Sequence, residues 1–175
     1  MLSREETDGY AKLADQGYAI AQLTMAHMYE HGSNGLPQSD VLAVEWYRKA
    51  AVQGHSSAQY NLARMYKKDG LPKSAALAAE WCHKAADQGL SVAQYNLALM
   101  YSDGRGGLLQ NDTLAAEWYH KAAVQGHPSS QYNLALMYSK GQCGLPEHER
   151  DALAAEWYRK AADQGVAEAQ LTLGH

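Results

Sequence analysis

The chain has 175 residues and a formal net charge of −4. This acidic balance disfavours bulk binding of nucleic acid, and no apolar run approaches the roughly 18 residues that a membrane-spanning helix needs. The polar, acidic start does not have the pattern of a signal peptide. We therefore expect no nucleic-acid partner and no membrane insertion. We also expect a cytoplasmic location, or a periplasmic one if a leader has been removed.

Four tryptophans mark a repeat along the chain. Trp46, Trp81, Trp118 and Trp157 are separated by 35, 37 and 39 residues, and a Gln-Gly pair follows each of them at a constant distance. Only the segment that precedes each tryptophan varies in length. This pattern predicts a stacked array of equivalent units whose insertions are confined to one connection.

Taken in chain order, the repeats predict a single domain over 1–175. It begins with a cap helix over 3–16, continues with repeats over about 18–53, 55–88, 90–125 and 127–164, and ends with a truncated helix over 167–175. Ending on half a repeat leaves an apolar face poorly capped. We therefore expect a C-terminal truncation or a longer parent protein.

Each repeat contains two predicted helices. Helix A carries the pattern Ala-Gln-Tyr-Asn-Leu-Ala-x-Met-Tyr, in which apolar residues recur with helical spacing, as at Ala93, Leu97 and Met100. Helix B carries Leu-Ala-Ala-Glu-Trp-Tyr-x-Lys-Ala-Ala with few departures. The small alanines of both helices, such as Ala98 and Ala122, should let neighbouring helices approach closely.

Helix B has recognisable ends. Asp40, Asp112 and Asp151 each lie six residues before a tryptophan and suit an N-cap or first turn, while Ser74 takes this role in the second repeat. The Gln-Gly pair is expected to end helix B, because Gly adopts the left-handed conformation at low cost. Glutamate–lysine pairs spaced i, i+4, such as Glu80–Lys84, are expected to add about 0.2–0.5 kcal/mol each.

Glycine-rich loops join helix A to helix B. They lack the Walker pattern and do not link a strand to a helix, so they do not predict a phosphate site. We interpret them as turns, each anchored by one buried leucine: Leu36, Leu71, Leu108 and Leu145.

The two cysteines allow two interpretations. Cys82 occupies a helix B position that holds tyrosine in the other repeats, and Cys143 lies in a loop. A small packing residue and a loop thiol are the simpler interpretation, and a disulfide between them is the alternative.

With these motifs the chain resembles the Sel-1-like repeat family, which is related to the tetratricopeptide repeat (TPR). The matching pattern is Ala-Gln-Tyr-Asn-Leu-Ala-x-Met-Tyr, then Gly-x-Gly-Leu, then Asp-x-Leu-Ala-x-Glu-Trp-Tyr-x-Lys-Ala-Ala-x-Gln-Gly, and it covers nearly the whole chain. The resemblance implies an all-α, right-handed superhelical solenoid of antiparallel helix pairs. It also implies a non-enzymatic scaffold or adaptor for protein partners, most often in bacteria. Two departures are Gly9, where the first helix B should carry Trp, and the alanines that replace a family glycine in helix A.

One segment of the first repeat has the spacing of a metal-binding motif. His27-Met-Tyr-Glu30-His31 matches H-x-x-E-H, the pattern of inverted zinc proteases. The equivalent positions in the other repeats hold unrelated residues, such as Arg64 and Lys68, and the sequence identifies no third ligand. We therefore expect polar surface residues here, with no metal and no cofactor.

The resemblance also implies a binding surface. In TPR-like stacks helix A lines the concave face, where varied residues contact the partner. Tyrosines are expected to form a ladder there, because Tyr gives a large contact area at low entropic cost, and Arg64, Lys67 and Lys68 would form a basic spot. The alternative is that the tyrosines pack between repeats and the charges are only solvated. The predicted partner-binding residues are Leu23, His27, His31, Tyr60, Arg64, Lys67, Lys68, Tyr95, Leu99, Asp103, Tyr132, Leu136 and Lys140.

Three functions remain open from the sequence. The first is a scaffold that binds another protein, or an acidic or extended peptide segment, in this groove. The second is a bacterial immunity protein that neutralises a toxin, as some members of the resembled family are thought to do. The third, more distant, is a zinc hydrolase that uses His27 and His31.

Overall fold

The computed structural model describes residues 3–68, 71, 74–142 and 146–174. These residues form ten α-helices and include no β-strand. No helix among them combines the length and apolar character needed to cross a membrane. In chain order the helices are α1 (Arg4–Asp15), α2 (Ala19–His31), α3 (Asp40–Val52), α4 (Ser56–Met65), α5 (Ala75–Asp87), α6 (Ser91–Asp103), α7 (Asp112–Val124), α8 (Pro128–Ser139), α9 (Glu147–Asp163) and α10 (Ala167–Leu173).

The chain divides into two compact units. The N-terminal unit covers Met1–Gln88 and contains α1 to α5, and the C-terminal unit covers Gly89–His175 and contains α6 to α10. Within each unit every helix packs against the helix that follows it. The even-numbered helices carry the helix A pattern and the odd-numbered helices, after α1, carry the helix B pattern.

Polar side chains cap the B helices one residue earlier than the aspartates. Ser39, Ser74 and Asn111 each accept a hydrogen bond from the backbone N–H three residues later, as an N-cap does. Asp40 and Asp112 therefore lie in the first turn, where a negative charge favours the helix dipole. Asp151 is neither an N-cap nor a first-turn residue, because α9 begins four residues before it at Glu147.

The predicted C-terminal ends of the B helices are confirmed. Gly54 follows the last turn of α3 with φ 89°, and Gly126 follows α7 with φ 87°. A side chain bearing a Cβ is strained in this left-handed region, so a glycine is the fitting residue there.

The core consists mostly of small side chains, as predicted. Ala50, Ala98 and Ala122 are 0% exposed. Close helix contact of this kind needs a small residue at the point of approach. In the N-terminal unit Leu36 and Leu71 are half-buried against the core, while Leu145 and Cys143 lie outside the described residues. Cys82 is buried, and burial raises the pKa of its thiol to about 11.

Each helix B lysine lies over the tryptophan one turn before it. The distances from the Lys Nζ to the Trp ring centroid are 3.7 to 4.2 Å in all four repeats. Cation–π contacts contribute roughly 0.5–1 kcal/mol at exposed sites. The predicted ion pairs also form between Glu80 and Lys84 and between Glu156 and Lys160, each at 2.6 Å.

A chain of glutamine amides connects successive helices inside each unit. Gln131 of α8 donates to the carbonyl of Ala123 at the end of α7, and its own oxygen accepts from Gln164 after α9, at 3.2 and 2.7 Å. Equivalent bonds join Gln22 to Ala14 and Gln53 to Gln22. We call this arrangement the glutamine relay. It satisfies a side-chain amide that would otherwise be buried without partners.

Candidate functional site

The predicted binding residues lie on the A helices or directly after them, but the two units present different chemistry. In the N-terminal unit the position of His27 is repeated at Arg64, and both are exposed polar side chains. In the C-terminal unit the same position holds Leu99 and Leu136, which are half-buried. One backbone framework therefore displays charges in one unit and apolar groups in the other.

A buried carboxylate organises the charged residues of the N-terminal unit. Glu30 of α2 is 5% exposed, and Nη2 of Arg64 in α4 lies 2.6 Å from its Oε1 and 2.7 Å from its Oε2. Tyr47 of α3, which is 0% exposed, donates its hydroxyl hydrogen to Oε2 at 2.6 Å. A buried charge is tolerated only when it is paired and hydrogen-bonded, and both conditions hold for Glu30.

The proton positions in this cluster follow from the donors available. Glu30 accepts from Arg64 with both oxygens, so it is ionised and the Tyr47 hydroxyl must donate to it. The Tyr47 oxygen also lies 2.9 Å from Nδ1 of His27, which must then carry a proton and donate. His31 donates from its own Nδ1 to the backbone oxygen of His27 at 2.9 Å. In the neutral rings both Nε2 atoms therefore keep an unprotonated lone pair.

Charge and burial shift the pKa values of the cluster in consistent directions. Burial raises the pKa of Glu30, but the hydrogen bonds from Tyr47 and Arg64 outweigh it and hold the pKa below its ordinary value. Burial and the neighbouring carboxylate raise the pKa of Tyr47 far above its usual range. Burial lowers the pKa of His27 despite the attraction of Glu30. The three shifts favour a carboxylate, a neutral phenol and a neutral imidazole at neutral pH.

The predicted basic spot is largely neutralised. Arg64 pairs with Glu30, and Lys68 lies 2.6 Å from Oδ1 of Asp40. Lys67 is exposed. The sequence predicted three cations close together, but it did not indicate that Arg64 and Lys68 would form ion pairs. Their acidic partners lie 34 and 28 residues earlier in the chain.

The tyrosines of the C-terminal unit have a packing role. The ring of Tyr95 stacks on His127, with centroids 4.7 Å apart, and lies 5.9 Å from the ring of Tyr119. The ring of Tyr132 lies 5.7 Å from that of Tyr158. Tyr95 and Tyr132 remain half-buried, so part of each ring faces solvent. Packing between helices and partial exposure to solvent therefore coexist in these residues.

The other predicted residues are accessible to different degrees. Leu23 and Tyr60 are half-buried in the N-terminal unit. Asp103 ends α6 and forms an ion pair with Arg105 at 2.9 Å, and Lys140 is exposed after α8. Contact of these residues with a partner stays a prediction.

The sequence did not identify Glu30 as the centre of a buried cluster. Its equivalents are Lys67, Ser102 and Ser139, all at least partly accessible, so the position looked like variable surface. The available signal was that several positions of the first repeat depart together from the pattern of the others. The same departure brings three potential metal ligands together, since one such atom from each of His27, Glu30 and His31 lies within 4.8 Å of the others.

Comparison with known proteins agrees with the fold. A family model described as Sel1 repeat matches four times, over residues 19–55, 56–90, 91–127 and 128–166. No curated protein sequence gives a significant match. The solved structures that resemble the chain include three bacterial proteins.

The protective antigen c5321 of uropathogenic Escherichia coli, which displays an SLR fold, is 35% identical with a TM-score of 0.88, over 96% of this chain and 35% of that chain. A Sel1 repeat protein from Oxalobacter formigenes is 34% identical with a TM-score of 0.87, over 98% of this chain and 49% of that chain. The immunity protein PA5088 from Pseudomonas aeruginosa is 25% identical with a TM-score of 0.55, over 94% of this chain and 58% of that chain.

The chain thus spans about a third of the first of these proteins and about half of the second. The predicted fold class, an all-α solenoid of helical repeats, is confirmed. This fold is typical of protein-interaction scaffolds.

Proposed function

Because the chain belongs to the Sel1-repeat family, we propose that it is a non-enzymatic scaffold that binds a protein partner, or an extended segment of one, on the outward residues of its A helices. The proposed surface comprises the predicted residues of α2, α4, α6 and α8 and those that directly follow α4 and α8. Repeat proteins vary these residues while keeping the framework constant. The two units of this chain differ in the same way, with polar side chains in one and leucines in the other at the same helix A position.

The observation that carries this proposal is the repeated tyrosine–leucine pair of the C-terminal unit. Tyr95 and Leu99 lie one turn apart on α6, and Tyr132 and Leu136 take the same positions on α8. All four are only half-buried. A partly exposed apolar and aromatic set at a fixed helical register is a suitable anchor for apolar side chains of a partner.

Charged residues at the ends of the A helices would set the polarity of the partner. Asp103 and Lys140 occupy equivalent positions but carry opposite charges. In the N-terminal unit His27, His31, Arg64 and Lys67 are exposed polar groups of the predicted set. Arg64 pairs with Glu30, and Lys68 pairs with Asp40. Rim charges of this kind affect orientation and association rate more than affinity.

A matched pair of variants tests the proposal. Partners captured by the full chain from the source organism are identified by mass spectrometry, and their affinity is then measured with purified proteins. The double variant Leu99→Ser/Leu136→Ser should weaken binding at least tenfold. The control Val124→Ser removes an apolar side chain that is 60% exposed at the end of α7, and it should bind as the parent does.

Equal binding by the parent and the double variant, with helical content intact, would reject this surface. Circular dichroism of all three proteins distinguishes a lost contact from lost folding. Absence of any partner that binds at micromolar concentration would reject the scaffold function itself.

A bacterial immunity protein is the second candidate. It is favoured by the similarity to the immunity protein PA5088, whose fold matches 94% of this chain and 58% of that chain. This function requires a single tight partner that is toxic to bacteria. Co-expression of the chain should restore growth of cells that produce the toxin, and unrestored growth despite soluble expression would exclude this candidate.

A further inference from the structure

The first repeat brings two imidazoles and one carboxylate to one side of α2. His27 and His31 are spaced i, i+4, so they lie on the same helix face, and both are exposed. Their rings are 6.3 Å apart and inclined by 28°. Glu30 lies between them in sequence, and a ligand atom from each of the three side chains lies within 4.8 Å of the others.

The hydrogen bonds prepare both imidazoles to bind a cation. Each ring donates from Nδ1, His27 to the Tyr47 oxygen and His31 to a backbone oxygen, so each Nε2 presents a lone pair. Metal-binding histidines characteristically donate their other ring N–H in this way, which fixes the tautomer and the ring orientation. Tyr47 also donates to Glu30, so one phenol contacts both His27 and the carboxylate.

We propose that His27, Glu30 and His31 form a binding site for a divalent transition-metal ion of the zinc type. Two imidazole nitrogens and a carboxylate oxygen are a donor set that suits zinc and its neighbours better than magnesium or calcium. A tetrahedral zinc ion needs neighbouring ligand atoms roughly 3.4 Å apart, given Zn–N distances of about 2.0–2.1 Å. On binding, the three ligand atoms, which lie within 4.8 Å of one another, close to that spacing, and water takes the fourth position.

Arg64 is the competitor for this site. Its guanidinium contacts both oxygens of Glu30, and a second cation at the same carboxylate is repelled by it. Arg64 is 44% exposed and its long side chain has room to move into solvent. The ion and Arg64 therefore exchange at Glu30, and metal binding releases Arg64 from α2.

The basic test measures zinc binding to the full chain without a polyhistidine tag. After chelator treatment and dialysis, titration calorimetry with Zn²⁺ should detect one ion per chain. Co²⁺ should give the visible absorption of a low-symmetry site with nitrogen and oxygen ligands. His31→Ala should weaken Zn²⁺ binding at least tenfold. The matched control His148→Ala, in which the histidine is 82% exposed, should not change it.

Zinc affinity that is equal in the parent and in His31→Ala would mean adventitious binding only and would overturn the proposal. A second variant tests the role of Glu30. Arg64→Gln removes the competing cation and should raise zinc affinity severalfold. Unchanged or weaker binding would show that Glu30 is not a zinc ligand. These measurements use the metal alone, so they are independent of the partner proposed above.

Discussion

Nη2 of Arg64 lies within 2.7 Å of both carboxylate oxygens of Glu30, although the two residues are 34 positions apart in the chain. Glu30 belongs to the first repeat and Arg64 to the second, so this ion pair joins α2 to α4. It also assigns Arg64 a structural role, because the buried carboxylate depends on it for charge compensation.

Arg64 should therefore contribute measurably to stability. We expect Arg64→Met to lower the free energy of unfolding by about 1–3 kcal/mol, less than for a fully buried pair because the Arg64 side chain is 44% exposed. The control Lys68→Met breaks the more exposed pair with Asp40 and should cost no more than about 1 kcal/mol. Urea unfolding of both variants at pH 7 measures the difference, and equal costs would contradict the structural role.

The Tyr47 hydroxyl offers a second test of the same cluster. Tyr47→Phe should cost about 1–3 kcal/mol, because it removes a hydrogen bond to an ionised, buried acceptor. Tyr158→Phe changes the equivalent residue of the fourth repeat, whose hydroxyl has a long contact of 3.4 Å with Ser139, and should cost about 0.5 kcal/mol or less. Thermal unfolding of the two variants gives the comparison. A larger loss for Tyr158→Phe would contradict the ranking.

The fold followed from the sequence because repetition supplied several independent observations of each position. Alanines at the helix contacts and glycines after helix B recur in register, and each was found where the pattern predicted it. The start of α9 was misjudged because Asp151 matches Asp40 in spacing, while the helix extends one more turn towards Pro146. Local spacing cannot reveal how much of a variable loop becomes helical.

The candidate site was less predictable for the opposite reason. Glu30, Tyr47 and Arg64 belong to different helices, and the positions of Glu30 and Arg64 are at least partly accessible in the other repeats. Averaging over repeats therefore hides them. Two points stay predictions. One is that the thirteen residues assigned to the binding surface contact a partner, and the other is that residues 1–175 form a single domain.

The glutamine relay should behave as a coupled pair rather than as independent contacts. In a double-mutant cycle, Gln131→Leu and Gln164→Leu should show a coupling free energy of about 0.5–1.5 kcal/mol, because either change removes the same 2.7 Å hydrogen bond. Gln131→Leu alone should lower the free energy of unfolding more than Gln164→Leu alone, since Gln131 is 5% exposed while Gln164 faces solvent. Strict additivity of the two losses would show that the relay does not stabilise this junction.

The pH dependence of stability should include a contribution from His127. Its Nδ1 accepts from the backbone N–H of Ser130 at 3.2 Å, which caps α8, and its ring stacks on Tyr95. Burial lowers the pKa of His127 below its ordinary 6.5, so the folded protein binds fewer protons than the unfolded chain. This contribution to the free energy of unfolding is present above about pH 6.5. It is lost as the pH falls towards the pKa of His127 in the folded protein.

The variant His127→Asn tests that contribution. Asparagine supplies a capping oxygen that does not titrate near neutral pH. Urea midpoints measured from pH 8 to pH 5 should fall less steeply for the variant than for the parent. The remaining histidines titrate in both proteins, so the difference between the two curves reports His127. Parallel curves would exclude its protonation as a source of acid sensitivity.

The glutamine relay has a consequence for how such chains change in evolution. Inside each unit the first helix of a repeat donates from its glutamine to a carbonyl near the end of the preceding helix, and it accepts from the glutamine that ends its own repeat. A joint of this kind is the same on both sides of a duplicated copy. Unequal recombination can therefore insert or delete whole copies without leaving a buried amide unpaired. Proteins of very different length can then use the same glutamine hydrogen bonds between their helices.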